Sequence, residues 1–154
     1  MKSFPLCSAL LLILCLTSPV IHAEENDLLS QWVTQTLINT LSVSYDKPLS
    51  AYEDVKDNYS INAWEGITGF LGGGGNLDKI RSEKLTLHPA LEGWPVTLAS
   101  GKASGMNYWI VNQVVFIPEF NVRLNFKLTI LERTGASEDP YIIQSLKINV
   151  LPNI

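Results

Sequence analysis

Cysteine is almost missing from this chain. Its two cysteines, Cys7 and Cys15, both fall within the first fifteen of 154 residues. Residues 24–154 carry no thiol, which excludes disulfides, thiolate nucleophiles and cysteine metal sites there. Histidine is equally scarce: beyond His22 there is only His88. One imidazole among scattered acids makes a poor metal site, and no nucleophile can be tied to it from sequence. No cofactor or metal is expected. Positive charge is in deficit, with 11 Lys and Arg against 15 Asp and Glu and a net charge of −4. Proteins that bind the nucleic-acid backbone normally carry a basic surplus, so no nucleic-acid partner is expected. Long apolar runs are lacking as well. The one present, "FPLCSALLLILCL", is shorter than the roughly 20 residues a membrane span needs.

That run has a different meaning. Lys2 precedes it, and "VIHA" follows, with Ile21 and Ala23 at the −3 and −1 positions of a cleavage site. This is the pattern of a secretory signal peptide. Residues 1–23 therefore read as a leader and residues 24–154 as one exported domain, with no membrane span after cleavage. Leu14, before Cys15, departs from the small residue that a lipoprotein signal wants. An exported domain free of disulfides suits a bacterial periplasm, where the core alone must hold the fold.

What is present is a chain whose period changes midway. Leu29, Trp32, Val33, Thr36, Leu37, Thr40 and Leu41 recur at helical spacing, which predicts a helix over Leu28 to Tyr45, capped by Asn26 or Asp27 and closed by Pro48. "LSAYEDVKDNYS" predicts a second, shorter helix with Ser50 and Glu53 as a capping box. "SINAWEGITGFL" predicts a third, with Ile61, Trp64, Ile67, Thr68 and Leu71 on one side. "NLDKIRSE" adds a turn that Asn76 can cap.

Between the last two lie four glycines, Gly72 to Gly75. A phosphate-binding loop needs a lysine and a hydroxyl after its glycines. Asn76, Leu77 and Asp78 supply neither, and Asp78 would repel a phosphate. A dinucleotide fold needs a preceding strand, and here a helix precedes. The tract reads as a flexible link between helices.

From Glu83 onward the period is two. "KLTLHP" and "PVTLASGKA" read as strands, with a turn at Ser104 and Gly105. "MNYWIVNQVVFI" is apolar on both sides, which suits a central strand. "NVRLNFKLTIL" alternates cleanly, Val122, Leu124, Phe126, Leu128 and Ile130 against Arg123, Asn125, Lys127 and Thr129. "YIIQSLKINV" is the last strand, with Ile142, Leu146, Ile148 and Val150 expected inward. Helices first and strands after make an α+β fold with an antiparallel sheet of about four strands.

The order of the pieces carries a resemblance. "YDKPLSAYEDVKDNYSINAWEGITGFL" holds Tyr45, Tyr52, Tyr59 and the stretch Trp64 to Phe70. An N-L-x-x-I turn follows at Asn76, Leu77 and Ile80. Then come a Gly-Trp-Pro-Val step at Gly93 to Val96, Gly101 and Gly105, and a strand with Tyr108, Trp109 and Val111. This succession, from about Leu28 to Leu131, resembles the periplasmic domain of the DotI/IcmL/TraM family of type IVB secretion and conjugation systems. The resemblance implies helices on a curved antiparallel sheet, the cone of nuclear-transport-factor-like proteins. It also implies a non-catalytic structural or accessory role with protein partners, either itself or other secretion-complex subunits. Two features depart from the family: a leader stands where an anchor is usual, and the glycine tract is an insertion. A small-ligand module on the same cone is the alternative, and an enzyme on that fold is a further one. The expected ligand or interface residues are Trp32, Trp64, Trp94, Tyr108 and Trp109, with no catalytic residue assigned.

Overall fold

Leu29, Val33, Leu37 and Leu41 are four residues apart, so they stack on one helix face. The computed structural model, which describes residues 20–135 and 139–152, leaves each of them at most 1% exposed. Helix α1 spans Val20–Leu41. It therefore runs through Asn26 and Asp27, which are not its caps, and it stops at Leu41 and not at Tyr45. Backbone pairing with a later segment takes over there: Leu87 N–H donates to Val43 O (2.8 Å) and Tyr45 N–H to Leu85 O (3.0 Å). This clasp is what becomes of "KLTLHP". It makes one antiparallel bridge, Ser44 to Thr86, and not a strand of the sheet. The expected leader, up to residue 19, lies outside the described residues.

The second expected helix is broken into a 3-10 turn at Leu49–Tyr52 and a single turn, α2, at Glu53–Lys56. The Ser50–Glu53 capping box does not form, and the residue ahead of the 3-10 turn is Pro48. Helix α3, Ile61–Gly73, is the stronger element, with Ala63, Ile67 and Leu71 buried along one face. Ser60 caps it, its Oγ accepting from Ala63 N–H at 3.2 Å. The same hydroxyl donates to Gln144 O at 2.7 Å, which ties the start of α3 to the last strand. Helix α4 is Asn76–Ser82. The glycine tract is thus only partly a link, because Gly72 and Gly73 close α3. Gly75 makes the turn with φ of 71°, in the left-handed region that glycine enters without steric cost. Asn76 does not cap α4; its Nδ2 donates back to Phe70 O at 2.9 Å.

Four antiparallel strands, β1 (Ala90–Ala103), β2 (Met106–Ile117), β3 (Val122–Glu132) and β4 (Tyr141–Leu151), lie in the order β1-β2-β3-β4. The fold is α+β, as expected. Ser104 and Gly105, with φ of 52° and 81°, form the two-residue β1–β2 turn, a geometry that matches the twist of the paired strands. Trp109, Val111, Gln113, Val115 and Ile117 of β2 face the core with Leu124, Phe126, Leu128 and Ile130 of β3. Helix α1 packs against β1 and α3 against β4.

Three register shifts set which side chains face out, two in β1 and one in β4; the second in β1 leaves Leu98 as an extra residue between Thr97 and Ala99. In β1, Gly93, Trp94 and Pro95 stand against Gln113 alone, so the Gly-Trp-Pro-Val step is a bulge. Pro95 has no N–H for the ladder, and the buried Gln113 amide fills in by donating to Val114 O (2.7 Å) and Gly93 O (3.3 Å). In β4, Gln144 is the extra residue between Ile143 and Ser145. One added residue exchanges the faces of a strand. Tyr141 and Ile143 consequently point into the core, and Ile142, expected inward, pairs with Leu131 on the outer face.

Candidate interaction surfaces

The five aromatics singled out in the sequence fall into separate places. Trp32 of α1 and Trp109 of β2 meet through Tyr141 of β4. Ring centroids are 5.4 Å apart in both contacts, with interplanar angles of 61° and 87°. Edge-to-face pairs of this kind favour the aromatic quadrupoles beyond simple area burial. Trp64 of α3 lies on Tyr59, 5.6 Å away, at the far side of the helical layer. Trp94 sits in the β1 bulge and is 74% exposed. Tyr108 lies on the outer face, where its ring covers Gly101; a Cβ there would come within 3.0 Å of it. These residues do not converge on one concave site.

Three polar ties missed by sequence patterning hold the layers together. Thr40 of α1 and Tyr59 are both buried, with Thr40 Oγ1 at 2.6 Å from Thr36 O and 2.7 Å from Tyr59 Oη. A hydroxyl has a single hydrogen, so Thr40 donates to the carbonyl and accepts from Tyr59. Burial pushes the Tyr59 phenol well above its ordinary value, and the Thr40 hydroxyl offsets part of this. The second tie is Ser60, on Ala63 and Gln144. The third is Gln113. A Ser, Thr or Gln inside an amphipathic pattern carries no sequence signal that it will find a partner 19 or 84 residues away.

The polar surface offers two further arrangements. His88, ahead of β1, has its N–H on Glu119 Oε2 (3.1 Å) and its Nδ1 2.7 Å from Glu119 Oε1. Partial burial raises the Glu119 carboxyl, but the bonds from the His88 ring and from backbone amides outweigh it and hold the group below its ordinary value. The histidine side chain is 75% exposed, and no group of three or more potential metal ligands gathers among the described residues. On the outer face of the sheet, Arg123 is paired with Glu92 (Nε 3.0 Å), whereas Lys127 of β3 stands directly opposite Lys147 of β4, both exposed. β1 at one edge exposes Trp94, Val96 and Leu98 together. Among the described residues no helix is long and apolar enough to cross a membrane.

No family model matches the sequence, and no curated protein matches it. Solved structures do match in fold. The periplasmic domain of DotI superposes with a TM-score of 0.69 at 16% identity, over 80% of this chain and 94% of that one. A periplasmic fragment of TraM gives 0.69 at 17%, over 80% and 96%. An IcmL-like type IV secretion system protein from Legionella pneumophila gives 0.63 at 12%, over 83% and 94%. These neighbours are the family that the sequence resembles, and the α+β arrangement of this chain is theirs.

Proposed function

We propose that residues 24–154 act as a non-catalytic periplasmic component, structural or accessory, of a type IVB secretion system of the DotI/IcmL kind, delivered by cleavage of the leader after Ala23. The observation that carries this reading is the shared fold across nearly the whole length of three secretion-protein domains. It joins the succession of sequence motifs that resembles the same family. The surface supplies means of association. β1 is a long edge strand with three exposed apolar side chains, and an open edge can pair with another strand. Its partners are taken to be further copies or other subunits of the complex.

The test is capture from an envelope extract with tagged protein, beside sedimentation of the purified protein across concentration. Secretion subunits should be recovered, and the recovered protein should begin at Glu24. A strict monomer that captures no secretion component refutes the reading. Lys127→Glu is the surface control, because it turns the like-charged pair with Lys147 into an attractive one and should leave the fold intact. Loss of capture in this variant places the contact on the outer face of the sheet.

A further inference from the structure

Where α1, the 3-10 turn, α3 and α4 meet, the protein encloses a cleft of about 160 Å³ that opens to solvent on one side. Close-packed interiors leave few gaps larger than a water molecule. An apolar cavity of roughly 150 Å³ takes one benzene ring. The cleft therefore has room for a single six-membered ring.

Its walls are apolar in effect. Trp64, Leu71 and Leu77 supply carbon surface. The hydroxyls on the lining are already engaged with the protein. Tyr52 Oη accepts from Ser44 N–H (3.2 Å) and lies 3.3 Å from Ser42 O. Thr40 holds Thr36 O and Tyr59, and Thr68 Oγ1 donates to the backbone of its own helix, 3.1 Å from Trp64 O. Leu77 reaches the cleft because Gly75, at a φ of 71°, turns the chain sharply between α3 and α4. The one carboxylate among the lining residues belongs to Glu53. Its contact within the protein is Lys56, 3.5 Å away, with the two side chains 65% and 49% exposed. A solvated pair of that kind is weak and exchanges readily for another cation.

We propose that this cleft binds a small organic cation, one apolar ring carrying an ammonium group. The ring lies against Trp64, Leu71 and Leu77, and the ammonium reaches Glu53. The face of an indole attracts both rings and cations, which adds to the selection for this class. The site is independent of the proposed secretion role, which can fail or stand without it.

The probes are phenethylamine, its neutral analogue 2-phenylethanol and its anionic analogue 3-phenylpropionate. They are titrated into the purified protein while the Trp64 indole N–H is followed by NMR. Saturable shifts are expected, with affinity falling from the ammonium to the alcohol to the carboxylate. Glu53→Gln should weaken the ammonium about three- to fivefold, the range of an exposed charge pair, and move the alcohol less than about twofold. Thr68→Trp, at the exposed rim, should block all three. Absence of saturation, or equal affinity for the ammonium and the carboxylate, overturns the proposal. So does unchanged binding in a folded Thr68→Trp protein. Should that variant not fold, the Trp64 shifts and the Glu53→Gln ratio still decide.

Discussion

Replacing Tyr59 by Phe removes one oxygen atom, and the structure fixes what that does at each pH. At neutral pH the variant loses the 2.7 Å bond to Thr40, in a site where Tyr59 is 6% exposed. Thr40 keeps its donor bond to Thr36 O, so only an acceptor site is left unfilled. The cost is about 1 kcal/mol. At alkaline pH the sign reverses. The folded-state phenol is raised above its ordinary value, so the native protein keeps its proton where the unfolded chain has lost it. The Tyr59 contribution is fully present below the unfolded pKa of about 10 and is lost as pH rises toward the folded value. Each pH unit above 10 then costs the wild type about 1.4 kcal/mol that the variant does not lose. The two stability curves should cross near about pH 10.6, where the growing titration loss equals the lost bond. Urea unfolding of both proteins from pH 8 to 11.5 reads this directly, because other tyrosines and lysines titrate alike in both and cancel in the difference. Curves that stay parallel through pH 11 would refute the assignment of Tyr59 as a buried, neutral donor.

Three further outcomes follow from local geometry. Ser60→Ala removes the α3 cap and its bond to Gln144 O together, and should cost about 1–2 kcal/mol in urea unfolding, more than an ordinary exposed cap. Within the glycine tract, Gly73→Ser should stay within about 0.5 kcal/mol, whereas Gly75→Ser must hold a side chain at a φ of 71° and should cost about 1 kcal/mol. Glu119 is held below its ordinary value, so its contribution is present above the unfolded pKa and is lost as pH falls through the folded one. Glu119→Gln should flatten the acid limb of the stability curve below about pH 4.3.

How much of this was legible beforehand varies with the physics involved. α1 and β3 were readable because a single hydrophobic period runs through each, and β2 because it is apolar on both faces. α3 was readable as a helix but its stripe was not, since Ile61 is 79% exposed and Thr68 exposed while Ala63 is buried. Leu29 to Leu41 and Leu124 to Ile130 are buried as their spacing requires. "KLTLHP" misled because its alternation is real, but Lys84 at a φ of 52° breaks the extended chain and the segment pairs only with Val43 to Tyr45. Ile142 faces outward, against the alternation of the strand, because the residue added at Gln144 exchanges the faces of β4, and a bulge leaves no mark in a run of residues that all suit a strand. The Ser50–Glu53 box failed because a cap motif stabilises a helix only where one is long enough to persist, and α2 is one turn. The aromatics were flagged as a group by type. Their partition between Tyr141, Tyr59 and the exposed bulge depends on strand register and helix placement, neither of which their spacing encodes.

The polar groups inside the fold bear on what kind of protein this is. Buried side chains with hydrogen-bonding capacity are costly unless satisfied, and in enzymes they converge on a substrate space. Here Thr40 faces Tyr59 across helices, Ser44 Oγ lies 2.9 Å from Thr86 Oγ1, and the Gln113 amide patches the β1 bulge. Each tie joins two backbone segments, and they lie at different junctions of the fold. Such an interior fixes a shape and presents a surface. That surface is divided: β1 exposes Trp94, Val96 and Leu98 at an open edge, while the outer rows of β3 and β4 carry Asn125, Lys127, Lys147 and Asn149. The apolar edge and the polar, locally cationic rows are separated by β2, so the proposed docking by strand pairing and any sorting of partners by charge would use different parts of the sheet.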